Sequence, residues 1–262
     1  MIRRFHAGLS PLALCLSIAA APAVRAQSLP ATGQEVLERM HTAYATKWYH
    51  TLTFVQTTKI DRPGQPPADQ TWYESLSAPG NLRIDISDPD SGNGVLYLGD
   101  STYVFRAGKL VRQVEGGNPF LPLILGVYVQ EPEATIRNLA PYHFDLSKVS
   151  SVKTDKGTAW VVGTATAGDT LSPQFWIEPD RLVALRIISG IGTTGLTLDA
   201  RLDDYVPAGK GWLATRVAIA ISNGTNQEEI YKDWKADPPI SLDLFDPAKY
   251  ASAPHWAHPR GP

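Results

Sequence analysis

Along most of the chain, hydrophobic and polar residues alternate with a period of two. Leu52 and Phe54 alternate with Thr51 and Thr53, and Leu82, Ile84 and Ile86 alternate with Arg83 and Asp85. That is the pattern of strands with one face in a core and the other toward water. It predicts strands over 51–59, 70–77, 82–86, 94–99, 102–106 and 110–114, then over 143–152, 158–165, 174–178, 184–188, 196–203, 212–221 and 228–236. Asp61-Arg62-Pro63-Gly64, Pro79-Gly80 and Asn223-Gly224 supply turns between them, and Asn-Gly is a strong hairpin signal.

Two stretches depart from this period. Val36, Leu37, Met40 and Tyr44 recur at helical spacing after Thr32, with Glu35 three residues on, so a capped amphipathic helix is predicted over 32–47. The segment 118–128 reads Asn-Pro-Phe-Leu-Pro-Leu-Ile-Leu-Gly-Val-Tyr and has no charge on any side. It is far shorter than the roughly 20 apolar residues of a membrane span. Pro119 and Pro122 suit the first turn of a short helix, and Gly126 suits its end. A short helix that is apolar all round must be buried or cover something apolar. It is read as a lid, hinged at Gly116-Gly117 and Gly126, that closes a cavity and moves outward on loading. A second short helix is expected to start at Glu131-Pro132-Glu133 and stop at Pro141.

About a dozen strands in antiparallel succession form a sheet that curls rather than staying flat. The expected fold is therefore mainly β with a few helices (α+β). It is a curved antiparallel sheet, an open half-barrel with an N-terminal helix and a short helical lid. Alternation places Leu52, Phe54, Leu82, Ile84, Leu96, Leu98, Tyr103 and Phe105 on the cavity wall, joined by Trp72. From the lid, Phe120, Leu121, Leu123 and Ile124 complete the expected ligand-binding set.

Composition narrows the setting. Arg3 and Arg4, an apolar run at 9–23 and Val24-Arg25-Ala26 make an export signal with cleavage expected after Ala26, leaving 27–262 as a single domain. The only cysteine, Cys15, lies inside that signal, and Leu14 before it argues against lipidation. Disulfides, thiol chemistry and cysteine-type zinc sites are thereby excluded from the mature chain. Cleavage removes Arg3, Arg4 and Arg25 from 24 basic residues and none of the 26 acidic ones, a balance of −5 that argues against nucleic acid as a partner.

Candidate chemistry is sparse. Gly99-Asp100-Ser101-Thr102 resembles a lipase block, but it sits at a predicted hairpin turn and no Gly-x-Ser-x-Gly elbow exists. Asp88, Asp90 and Asn93 lack the glutamate of a calcium loop and read as turn residues. His41 and His50 flank Trp48 without an evident partner, and His255 and His258 lie in a Pro-rich tail expected to be loosely ordered. No cofactor, metal or catalytic group is expected.

Several of these stretches together resemble the periplasmic outer-membrane lipoprotein carrier (LolA-like) superfamily. The opening helix and strand through Leu52-Thr53-Phe54-Val55-Gln56, the turn Pro79-Gly80-Asn81-Leu82-Arg83, the hairpin 98–105, the lid start Asn118-Pro119-Phe120-Leu121, and the segments Phe175-Trp176-Ile177-Glu178-Pro179 and 242–247 carry the likeness. Asp204-Tyr205 through Gly211-Trp212 to Arg216 resembles a hairpin of more distant members. The resemblance implies a half-barrel with a helical lid, and a monomeric periplasmic carrier of lipid or lipoprotein acyl chains. Its partners would be an inner-membrane donor complex and an outer-membrane acceptor. One departure is that lipoprotein carriers place an arginine before the Pro-Gly turn, and Ala78 stands there instead. The alternative function on the same fold is a periplasmic lipid-sensing or regulatory scaffold. That reading would want a second C-terminal domain, whereas the chain ends soon after Phe245.

Overall fold

The computed structural model describes residues 28–166 and 168–257, so the expected export signal and His258 lie outside the described residues. Helix α1 (Gly33–Tyr44) begins as its sequence requires: the Thr32 hydroxyl accepts from the amide of Glu35 at 3.2 Å. The Glu35 carboxylate reaches back one residue further than a capping box does, to the amide of Ala31 at 2.8 Å. Val36, Leu37 and Met40 are fully buried along the inner face of this helix.

Thirteen antiparallel strands follow: β1 (Thr51–Asp61), β2 (Ala68–Ser77), β3 (Asn81–Ile86), β4 (Gly94–Leu98), β5 (Ser101–Arg106), β6 (Lys109–Glu115), β7 (Val149–Thr154), β8 (Gly157–Val162), β9 (Gln174–Glu178), β10 (Val183–Gly190), β11 (Thr197–Ala208), β12 (Gly211–Ile221) and β13 (Asn226–Ala236). They form one sheet in the order β6-β5-β4-β3-β2-β1-β13-β12-β11-β10-β9-β8-β7. β1 and β13 pair at the centre, while β6 and β7 are the two free edges, so the sheet is curved but not closed. The chain therefore builds outward from β1 to β6, crosses to the opposite edge, and returns from β7 to β13.

That crossing is made by residues 116–148. It contains the apolar segment, which forms a π-helical turn (Pro122–Gly126) running into the single turn α2 (Val127–Val129), and then helix α3 (Pro132–Leu139). The connection lies on the concave face of the open sheet. The main core is formed there, with Leu123, Tyr128 and Leu139 from the crossing and Leu37 and Met40 from α1 packed on Trp160, Phe175 and Ile187. β6 stays solvated, and Lys109 and Arg112 on it discourage pairing with another chain.

Two sequence expectations are corrected. The strand expected over 143–152 starts only at Val149, because His143 turns the chain at φ 58° and the Asp145 carboxylate binds the amide and hydroxyl of Ser147. The C-terminal segment is not a loose tail. Leu244, Phe245, Tyr250, Ala253 and His255 are buried against the convex face of the sheet, where Phe105 stacks on Tyr250 at 3.8 Å.

Candidate functional site

The concave faces of β1, β2, β3, β12 and β13 form the floor of a cavity, and the crossing segment forms its roof. In-register pairing puts Phe54 beside Glu74 and Glu74 beside Ile84, and likewise Leu52, Leu76 and Leu82 in one row. All six side chains line the cavity, with Trp72, Val217 and Tyr231 on the same surface. From the roof, Phe120, Leu121, Ile124 and Leu125 project into it. The free space left is about 90 Å³. That holds a few water molecules and falls well short of the ~300–1,000 Å³ of a ligand pocket. The roof's own side chains fill the remainder.

The roof is fixed at its far end. Tyr128 stacks on Trp48 at 3.6 Å, meets Tyr44 edge-on at 5.5 Å, and donates its buried hydroxyl to the carbonyl of Leu182 at 2.8 Å. The π turn carries the amide of Val127 to the carbonyl of Pro122, five residues back. Gly126 has ordinary helical dihedrals, and its need for glycine is spatial: a Cβ there would meet the Gln130 side chain at 2.9 Å and the carbonyl of Pro79 at 3.3 Å. Gly116 does occupy the left-handed region, at φ 113°, and Gly117 lies where a Cβ would meet the carbonyl of Gly99 at 2.4 Å. The roof thus rests on the Pro79-Gly80 turn, next to Ala78, without any side-chain ion pair from that turn.

Of the thirteen residues expected to bind ligand, Leu52, Phe54, Trp72, Leu82, Ile84, Phe120, Leu121 and Ile124 line this cavity. Leu123 does not: it is fully buried in the main core behind the roof. Leu96, Leu98, Tyr103 and Phe105 are also corrected, because they point to the convex face. Leu96 pairs with Arg83 and Tyr103, so all three project away from Leu82 and Ile84. There they pack with Leu244, Phe245 and Tyr250. β4 reads Gly-Val-Leu-Tyr-Leu, apolar at both parities, so alternation alone does not choose its inner face.

The cavity also contains polar groups that the sequence reading missed. Glu74, 4% exposed, and Glu229, 7% exposed, both line it. Glu229 accepts from the Tyr231 hydroxyl at 2.7 Å and from the Gln227 side-chain amide. Burial pushes its carboxyl above the usual range, and those hydrogen bonds oppose the shift. Burial pushes Glu74 well above it, with the nearby Glu229 and Asp85 charges adding to the effect. Burial first, and then the Glu229 charge, raises Tyr231 as well. The signal that could have found them is the same alternation: Trp72, Glu74 and Leu76 share one face, as do Gln227, Glu229 and Tyr231.

Three solved structures share this architecture. A LolA superfamily protein from Nitrosomonas europaea matches at TM-score 0.52 and 14% identity, over 82% of this chain and 98% of its own. A DUF1329 family protein from Desulfovibrio piger matches at TM-score 0.56 and 15% identity, over 82% and 95%. The chain has the LolA-like fold. A domain from Vibrio parahaemolyticus, named for outer membrane lipoprotein sorting, aligns at TM-score 0.54 and 12% identity, over 82% of this chain and 96% of its own. No family model and no curated protein matches the sequence. In this LolA-like fold the concave face carries the cavity, and the crossing segment that closes it is the segment singled out by its lack of any polar side.

Proposed function

We propose that this protein is a periplasmic carrier that takes the acyl chains of lipoproteins or other lipids into the concave cavity and conveys them toward the outer membrane. The observation that carries the reading is the roof. Phe120, Leu121, Ile124 and Leu125 occupy a cavity walled by Leu52, Phe54, Leu82 and Ile84, which is what an empty acyl-chain site would do to keep its apolar surface dry. A chain entering there displaces side chains of its own chemical kind, so apolar contacts are exchanged rather than created. Each buried CH₂ is worth about 0.8 kcal/mol, and a bilayer offers nearly the same. Transfer is near balance, and direction is set by the donor and the acceptor. The neighbour named for lipoprotein sorting supports this use of the fold, and the expected export signal supports the compartment. The reading assigns the cavity to binding, with no catalytic group.

The reading is tested on protein purified from an exporting host. Solvent extraction and mass spectrometry should return acyl lipid close to one equivalent, and an apolar fluorescent dye should bind the delipidated protein. Ile124 lines the cavity from the roof and Ile84 from the floor, and Cys15 is the only native cysteine. Cysteines at these two positions, bridged by a short thiol crosslinker, should abolish dye uptake, and a cleavable linker should restore it. Absence of both lipid and dye binding in the uncrosslinked protein overturns the proposal.

A further inference from the structure

The polar patch within the cavity is short of hydrogen-bond donors. Glu74 and Glu229 bring four carboxyl oxygens. The donors in place are Tyr231, Gln227 and Gln56, and all three serve Glu229. The Trp72 indole N–H is committed to Gln70 at 2.8 Å, and the Gln56 amide also donates to Thr58 at 2.7 Å. The Gln56 carbonyl oxygen is itself buried without a partner, while the one unpartnered donor among the described lining residues, the Trp48 indole N–H, belongs to the ring stacked on Tyr128. Among the described residues no hydrogen bond reaches the Glu74 carboxyl, which is more than nine-tenths buried and borders the free space. Its oxygens are reachable from that space, so a donor that enters the cavity meets an acceptor with no partner among the described residues.

From this geometry we infer that the cavity is built for an amphiphile whose head donates hydrogen bonds, a protonated amine above all, held between Glu74 and Glu229 while its chain lies against Phe54, Leu82 and Ile84 under the roof. The inference rests on the acyl-carrier reading and adds the head group to it. An ammonium head brings three donors and one positive charge to a patch with spare acceptors and no cation of its own. A hydroxyl head brings one donor and no charge. A carboxylate head brings a negative charge and no donor to two buried carboxyls, and so is the head this patch favours least. Apolar walls set the affinity for the chain, and the two glutamates set the choice of head.

The test is displacement of a bound apolar dye from the full mature protein at pH 7 by dodecylamine, 1-dodecanol and dodecanoate, which share one chain length. Dodecylamine should bind at least about tenfold more tightly than dodecanol, as expected for hydrogen bonds to a charged partner, and dodecanoate should be weakest. Glu74→Gln and Glu229→Gln should each narrow the gap between amine and alcohol by about tenfold, with unfolding curves recorded on the same samples. If either variant does not fold, the ranking on the native protein decides. Equal binding of all three, or dodecanoate ahead of dodecylamine, overturns the head-group inference and leaves the carrier reading standing. If none of the three displaces dye and no dye binds, the carrier reading fails and the head-group inference falls with it.

Discussion

Strands β2 and β3 carry a buried polar cluster on each side, and the two are built on opposite terms. On the convex side Arg83, 3% exposed, grips Asp85, fully buried, through two hydrogen bonds of 2.8 Å. The Tyr250 hydroxyl donates to Asp85 at 3.1 Å, His255 contacts it at 3.1 Å, and the Arg83 guanidinium lies 4.0 Å above the Tyr250 ring. Burial pushes Asp85 up, but the hydrogen bonds from His255 and Arg83 outweigh it and hold its carboxyl below the usual range. On the concave side Glu74 has no such partners, and its carboxyl is pushed the other way. The difference separates structure from function. A saturated network fastens the C-terminal segment to the sheet, whereas an unsaturated one beside free space awaits a partner.

The largest test of this contrast is Asp85→Ala. Among the described residues it leaves the buried Arg83 guanidinium with only the Leu244 carbonyl and the Tyr250 ring as partners. Removing one member of a buried ion pair should destabilise the fold by about 3–5 kcal/mol, read from the denaturant midpoint. A loss below about 1 kcal/mol would mean that the convex network does not anchor the C-terminal segment.

A matched pair of hydroxyl deletions sharpens the comparison at a smaller scale. Tyr250→Phe keeps the stack on Phe105 and leaves Asp85 with Arg83 and His255, so it should cost about 1 kcal/mol. Tyr231→Phe keeps the stack of that ring on Phe54 but takes a donor from a patch already short of them. It should cost about 2 kcal/mol. Equal losses in the two unfolding curves would show that the two clusters are saturated alike.

The sequence announces one face of this sheet better than the other. Alternation with Thr51, Thr53, Asn81, Arg83 and Asp85 identifies Leu52, Phe54, Leu82 and Ile84 as inward. In β4 the neighbours are apolar too, since Leu96 is covered from outside by Leu244 and Phe245. A strand buried on both faces carries no parity signal. The covering segment was illegible for a related reason: its anchors, Tyr250, His255 and Trp256, hold by contacts to residues distant in sequence, within a Pro-rich stretch that lacks any period. Trp256, for example, donates to Ser75, 181 residues away in sequence, at 2.8 Å. The roof was legible because composition alone marks a segment without a polar side. Glu74 shared its face with Trp72 and Leu76, yet a lone acid in a strand is usually solvated, and only the crossing segment above it makes it buried.

The smallest effect has the most telling sign. Glu74 has an unfolded value near 4.5 and a folded one well above it, so the folded protein holds its proton more tightly than the unfolded chain does. The stability it contributes is fully present below about pH 4.5 and is lost as pH rises through the folded value. Glu74→Gln mimics the protonated acid. It should match the native protein at pH 4 within about 0.5 kcal/mol and then gain on it as pH rises, by at most about 1.4 kcal/mol per pH unit for the one proton removed. Asp85 runs the opposite way: its folded value is lowered, so its contribution is present above the unfolded value near 3.8 and lost as pH falls through the folded one. Urea unfolding of native protein and Glu74→Gln at pH 4, 5.5 and 7 resolves the sign. Curves that diverge as pH rises place an uncompensated carboxyl in the cavity. Parallel curves would mean that Glu74 already has a partner, and the contrast between the two faces of β2 and β3 would be gone.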